Sequence, residues 1–322
     1  MIKIILFLVF TLTFSSCSLE INTNQVLNQL QDVMNHVNIQ RSNNEMIEIL
    51  NEIYFELKDD SKVDDPVNTD FISTSFSYKE ALNNAIKWIE NNMDLVSEKE
   101  YNEEMLTIKQ DLVIASNDLV SLGDQLKEIN SAVNQGKDVK GLIKDFLGRL
   151  SSLEGLQYVI RTEAALKRSI ALNEAAKKST NILNSLQTVI ENIKIKNSNE
   201  QLEQVLKDVN NESTGKGYQL PLKSYINSLE KAIQWIKNNA ESVSQEKKPK
   251  VYSILEDLVL ARNDLVVIKE KLENIKLGTK LGFNTELLVH SLKRKLSEKI
   301  YVKRTEDALK KLIPLKINKS YN

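Results

Sequence analysis

The sequence predicts an all-α protein, and three observations carry that expectation. Met105, Ile108, Leu112, Ala115, Leu119, Leu122, Leu126, Ile129 and Val133 recur at alternating spacings of three and four, the period of one helix face. Nine glycines and four prolines are few for 322 residues, and an aromatic content of 6% disfavours a strand-and-turn architecture. The same seam then returns as Val251, Ile254, Leu258, Ala261, Leu265, Ile268, Leu272 and Ile275, so one helical unit is written twice. With 41% hydrophobic and 27% charged residues, the composition is that of a globular chain with room for two domains.

Taken in order, the chain begins with a stretch to be set apart from the fold. Met1-Ile2-Lys3 gives a positive start, Ile4 to Phe14 is an apolar or hydroxyl run, and Ser15-Ser16-Cys17 places two small residues before the single cysteine. Residues 1–16 are therefore expected to be a secretory signal, too short to span a bilayer as a finished helix. The Ser15-Ser16-Cys17 arrangement resembles a bacterial lipobox, which implies Cys17 as the lipidation site and new N-terminus, and residues 17–24 comprise that cysteine and a short polar tether. Each buried methylene of an acyl chain contributes about 0.8 kcal/mol, so several chains together hold a protein on a membrane.

The remainder divides into two matching units, 25–178 and 179–322. Val26-Leu27-Asn28-Gln29-Leu30-Gln31 is echoed by Ile182-Leu183-Asn184-Ser185-Leu186-Gln187 at a shift of 156, which also superposes Ser42-Asn43 on Ser198-Asn199. Ala85-Ile86-Lys87-Trp88-Ile89 matches Ala232-Ile233-Gln234-Trp235-Ile236 at a shift of 147. Asn117-Asp118-Leu119-Val120 matches Asn263-Asp264-Leu265-Val266 at 146, and Arg161-Thr162-Glu163 matches Arg304-Thr305-Glu306 at 143. Shifts change where loops tolerate length, chiefly between Asp59 and Ser77 and between Asn211 and Ser224, each interval holding one proline, Pro66 or Pro221.

Six helices are expected in the first unit, at 24–39, 43–58, 77–96, 98–134, 138–151 and 154–178. Ser42 with Glu45, Ser77 with Glu80, Ser97 with Glu100 and Ser198 with Gln201 have the spacing of a capping box, which satisfies free amides at a helix start. Pro249 suits a first helical turn, and Pro314 falls where the last helix should stop. No Gly or Pro lies between Leu156 and Lys196, so one nearly continuous connecting helix is expected there, with Ser179-Thr180 as the place for a bend.

No catalytic constellation emerges. The only histidines, His36 and His290, occupy non-equivalent places in the two units, against a repeated His-dependent metal or catalytic site. Gly215-Lys216-Gly217 lacks the earlier glycine, the following Ser or Thr and the preceding strand of a phosphate loop. The acidic run Asp59, Asp60, Asp64, Asp65 and Asp70 lacks the ligand spacing and central Gly of a calcium loop, and reads as a solvated loop. Trp88 and Trp235 sit beside apolar stripes and read as packing residues over anchors for a partner, and Arg161 and Arg304 as internal salt-bridge or hydrogen-bonding residues over binders of an acidic ligand. No cofactor and no metal are expected.

Charge is unevenly distributed. Ser18 to Lys178 holds 17 Lys+Arg against 27 Asp+Glu, net −10, whereas Ser179 to Asn322 holds 25 against 17, net +8. The candidate polyanion-binding residues are Lys293, Arg294, Lys295, Lys299, Lys303, Arg304, Lys310 and Lys311, because a stripe of cations attracts sulfated glycans or nucleic acid through counterion release. Aromatic residues for base stacking are sparse among them, and nucleic acid is not an expected partner. The competing readings are a solvated helix face, or attraction between an acidic and a basic unit.

The Ser15-Ser16-Cys17 lipobox, with Phe14 where Leu is usual, heads an Asn-, Lys- and Ile-rich duplicated helical body. That combination resembles the outer-surface lipoproteins of Borrelia spirochaetes. The resemblance covers the chain in style, and its one specific motif is the lipobox. It implies a lipid-anchored helical protein on the outer membrane, displayed at the cell surface, that binds a host protein or glycosaminoglycan instead of acting as an enzyme. A periplasmic structural or assembly lipoprotein that contacts another envelope protein is the alternative.

Overall fold

The computed structural model describes residues 23–58, 69–150, 152, 156–211 and 219–315. The expectations for the signal segment, Cys17, the Asp59 to Asp65 run, Pro66 and Gly215-Lys216-Gly217 lie outside the described residues.

The fold is all-α. Its helices are α1 (Thr23–Val37), α2 (Ile39–Lys58), α3 (Thr69–Asn92), α4 (Lys99–Asn134), α5 (Lys140–Leu150), α6 (Gln157–Ile193), α7 (Ile195–Asn211), α8 (Gln219–Asn239), α9 (Lys248–Lys280), α10 (Glu286–Ser297) and α11 (Ile300–Leu312). Short 3-10 turns occupy Met93–Leu95, Ala240–Ser242 and Ile313–Leu315. The chain forms two compact units divided between Asn173 and Glu174, earlier than the expected division after 178 and inside α6.

In unit 1 the seam of α4 is buried from Met105 to Ile129. Helix α3 runs along α4, α1 and α2 pack on α3, and α5 folds back on α4. In unit 2 the seam of α9 is buried from Val251 to Leu272 and is covered by α8, α10 and α11 of the same unit. A seam filled in this way leaves no heptad face for a coiled-coil partner. Burying each Leu or Ile contributes about 1.5–3 kcal/mol, so each stripe makes a substantial contribution to the core of its unit.

The helix starts differ from the capping expectation. Helices α1 and α2 are joined by one residue, Asn38, at φ +52°, and α6 and α7 are joined by Lys194 at the same angle. The linker is too short to leave a serine outside the helix, so Ser42 and Ser198 sit in the first turn. Their hydroxyls donate backwards to the Val37 and Ile193 carbonyls, at 3.4 and 3.1 Å. Helix α3 begins at Thr69 and not at 77, drawn onto the core by the buried Phe71. Ser77 is therefore mid-helix and donates to the Ser73 carbonyl at 3.1 Å. At α4 the N-cap is Glu98, and Ser97 donates to the Glu98 carboxylate at 2.8 Å. Pro221 lies in the first turn of α8, where its missing N–H has no partner to lose, and Pro249 plays the same part in α9.

Candidate polyanion-binding face

A buried polar network holds α11, the helix that carries Lys303, Arg304, Lys310 and Lys311. In unit 2 the Tyr225 hydroxyl donates to Asn199 Oδ1 at 2.9 Å, and Asn199 Nδ2 donates to Thr305 Oγ1 at 3.3 Å. Thr305 in turn donates to the Tyr301 carbonyl at 3.0 Å. Helices α7, α8 and α11 are thus tied at one buried point. Unit 1 repeats it. Tyr78 donates to Asn43 at 2.8 Å, Asn43 to Thr162 at 3.1 Å, and Thr162 to the Tyr158 carbonyl at 2.8 Å. Burial pushes the Tyr78, Tyr158 and Tyr225 hydroxyls above the ordinary tyrosine value, and Tyr301 up to about 12; of these, Tyr78 and Tyr225 donate to the asparagines, while the Tyr158 hydroxyl is buried without a hydrogen-bond partner among the described residues.

The network fixes the face of α11 that meets α9. Tyr301, Thr305, Ala308 and Leu312 are buried at helical spacing, and Arg304 and Lys311 flank that stripe. Opposite them, Asp257 and Asp264 stand two turns apart on α9. Arg304 Nη1 reaches Asp264 Oδ2 at 2.7 Å and the Leu260 carbonyl at 3.1 Å, while Lys311 Nζ reaches Asp257 Oδ2 at 2.6 Å. Lys295, from α10, reaches Asp264 Oδ1 at 3.7 Å and Glu298 at 3.8 Å. Three of the eight candidates therefore serve as internal partners of two partly buried carboxylates.

The other five differ in availability. Lys299, at φ +46° in the junction between α10 and α11, pairs with Glu203 at 2.8 Å, and Lys310 pairs with Asp307 at 3.3 Å. Exposed pairs of this kind contribute about 0–1 kcal/mol, so a dense polyanion can displace the carboxylate. Lys293, Arg294 and Lys303 are exposed and have no ion pair among the described residues. The predicted stripe is divided between an outward set able to meet a ligand and an inward set that holds α10 and α11 on α9.

Unit 1 arranges related charges another way. Arg161 pairs with Asp111 at 3.0 Å, and Arg168 approaches the same carboxylate at 3.5 Å. Asp118, the position equivalent to Asp264, has Oδ2 buried without a hydrogen-bond partner. Burial raises its carboxyl above the ordinary aspartate value, against the opposing pull of Arg149 and Arg161.

Several features are not marked in the sequence. Along the chain Asp257 and Asp264 stand out only as matches to Asp111 and Asp118, since nothing local indicates that α11 aims cations at them. Trp235, half-buried against the unit 2 core, lines an open cleft of about 680 Å³ with Glu174, Lys177, Lys178 and Asn239. Asn239 donates to the Trp235 carbonyl at 2.8 Å, as Asn92 does to Trp88 at 2.7 Å, so both tryptophans sit on equivalent helix ends. His36 meets the Asp32 carbonyl of its own helix and His290 is exposed. Among the described residues no cluster of three His, Cys, Asp or Glu is placed to hold a metal, and no helix is long and apolar enough to cross a membrane. The chain matches no protein-family model, no curated protein and no solved structure.

Proposed function

We propose that this chain is a lipid-anchored recognition protein, held at the outer membrane through Cys17, displayed at the cell surface, and binding a host protein or sulfated glycan through its basic second unit. The observation that carries the reading is the outward set Lys293, Arg294 and Lys303, exposed and free of ion pairs among the described residues. Lys299 and Lys310 add cations whose surface pairs are readily exchanged. In the same unit the buried Tyr225, Asn199 and Thr305 side chains are hydrogen-bonded in series, a structural use of these groups that supports recognition over catalysis.

Retention on immobilised heparin under a salt gradient tests the glycan reading. Every anionic group that the protein ceases to neutralise takes close to one counterion out of the salt dependence. Reversal of Lys293, Arg294 and Lys303 to Glu is expected to move elution to markedly lower salt and flatten that dependence, whereas Lys311→Gln leaves the outward set intact and elutes close to the parent. Equal elution of parent and triple variant would remove the face from consideration. Labelled palmitate incorporation that survives Cys17→Ala would remove the anchor, and resistance to protease on intact cells, with known surface proteins cleaved, would remove surface display.

A further inference from the structure

We infer that the hairpin tip between α9 and α10 is a membrane-contact site that seats its apolar side chains in the interface of an anionic lipid bilayer. This goes beyond the recognition reading and does not depend on Cys17. The two units build the same turn and decorate it differently. Gly136 and Gly282 both take left-handed φ, at +66° and +77°. The Lys137 amide donates to the Ala132 carbonyl at 3.0 Å, and the Phe283 amide to the Gly278 carbonyl at 2.9 Å. Asp138 Oδ1 accepts from the Lys140 amide at 3.0 Å, as Asn284 Oδ1 does from the Glu286 amide at 3.0 Å. Glycine and the short polar side chain therefore build the turn, and unit 1 closes it with Ser131 and Lys137 where unit 2 has Leu277 and Phe283, so the turn itself does not require large apolar residues.

On this shared frame unit 1 carries Ser131, Gln135, Lys137 and Gly141, all exposed. Unit 2 carries Leu277, Leu281, Phe283 and Leu287 at the same places, exposed by 56%, 58%, 67% and 85%. Single exposed apolar residues are ordinary, but four on one hairpin tip form a patch that calls for an occupant. The charge around the patch selects which. Residues 274–294 contain Lys276, Lys280, Lys293 and Arg294 against one carboxylate, Glu286, whereas the matching 128–148 balances Lys137, Lys140 and Lys144 against Glu128, Asp138 and Asp145. Lys276 and Lys280 lie on the last turns of α9 and Lys293 and Arg294 about two turns along α10 from Leu287, so an apolar tip is backed by cations, the pattern of an interfacial contact with anionic lipid in which the chains enter the acyl boundary and the cations meet headgroups. A second copy fits less well, since two such tips would bring like charges together.

The test uses the chain from Ser18 to Asn322, which keeps every described helix and has neither acyl site nor signal segment. Co-sedimentation with vesicles of mixed phosphatidylcholine and phosphatidylglycerol is expected at low salt, with little on phosphatidylcholine alone. The charge-conserving triple variant Leu281→Gln, Phe283→Gln, Leu287→Gln is expected to lose at least about tenfold in partitioning while its unfolding midpoint and heparin elution stay close to the parent. Because Cys17 is the only cysteine, Phe283→Cys carries a polarity-sensitive dye at a unique position, expected to shift to the blue on adding the anionic vesicles, with Lys137→Cys silent. Three results would overturn the inference: no co-sedimentation of the parent, unchanged co-sedimentation of the triple variant, or a dye response at 137 but not at 283. A concentration-dependent dimer of the parent that the triple variant abolishes, without vesicle binding, would instead assign the patch to a second copy.

Discussion

Asn43 in unit 1 and Asn199 in unit 2 each accept from a buried tyrosine hydroxyl and donate to a buried threonine on another helix. A short distance outward the agreement ends. Asn83 accepts from Ser116 at 3.1 Å in unit 1, and the equivalent pair in unit 2 is Glu230 with Arg262, an ion pair at 2.6 Å. Gln135 and Lys137 at one hairpin tip correspond to Leu281 and Phe283 at the other. The difference teaches that a buried group must keep a partner, because an unpaired one costs about 1–3 kcal/mol, so the buried Ser116 differs from Arg262 only together with its partner, while the exposed hairpin tip is free to change polarity position by position.

The largest expected effect breaks the comparison at its core. Leu112→Ala and Leu258→Ala delete equivalent fully buried seam side chains, and each should cost about 2–5 kcal/mol in denaturant unfolding. If the seams are equivalent the two losses agree in size, and a loss at one position without the other would show that the units do not share a core design. Next, Asn43→Ala and Asn199→Ala each strand a tyrosine and a threonine hydroxyl, for an expected cost of about 1–3 kcal/mol by the same measurement. Stability unchanged by either would mean that the network only fills space.

A third pair sharpens the comparison by sign. Asp264→Asn removes the partner of Arg304 and weakens that of Lys295, and should destabilise unit 2 by about 1–2 kcal/mol near neutral pH. Asp118→Asn should be neutral or stabilising there. Because burial raises the folded-state pKa of Asp118, its carboxyl contributes stability that is fully present below the unfolded aspartate pKa and lost as pH rises through the folded value. The advantage of Asp118→Asn should therefore grow with pH across the acidic range and level off above it, as read from chemical unfolding at a series of pH values. A pH-independent difference would contradict that origin. The smallest effect belongs to the partly exposed ion pair: exchanging Glu230 and Arg262 for the Asn and Ser of unit 1 should change stability by less than about 1 kcal/mol, since an ion pair this open to solvent holds little more than the single hydrogen bond that replaces it.

The helical seams were legible along the chain because burial in a helix repeats every three to four residues, and α4 and α9 carry that repeat without interruption. The network residues were half legible. Asn43 and Asn199, Tyr78 and Tyr225, and Thr162 and Thr305 superpose at shifts of 156, 147 and 143, but no local signal shows that they touch. The capping boxes misled for a physical reason: a Ser-x-x-Glu spacing marks a helix start only when the serine lies outside the helix, and one-residue junctions at Asn38 and Lys194 leave no such place. The candidate face was legible as composition only, with the eight cations undifferentiated.

By itself the sequence determined that the chain is helical, that its apolar stripes recur, and that the second half carries the positive charge. These are properties of spacing and count, and a helix transmits them to one face whatever it packs against. Only the tertiary structure decided which cations Asp257 and Asp264 would take, which remain outward on α10 and α11, and that Leu281 and Phe283 would be left uncovered at the end of α9. Those outcomes depend on which helix crosses which and in what register, and residues some forty to fifty positions apart have no local pattern through which to announce that they will meet.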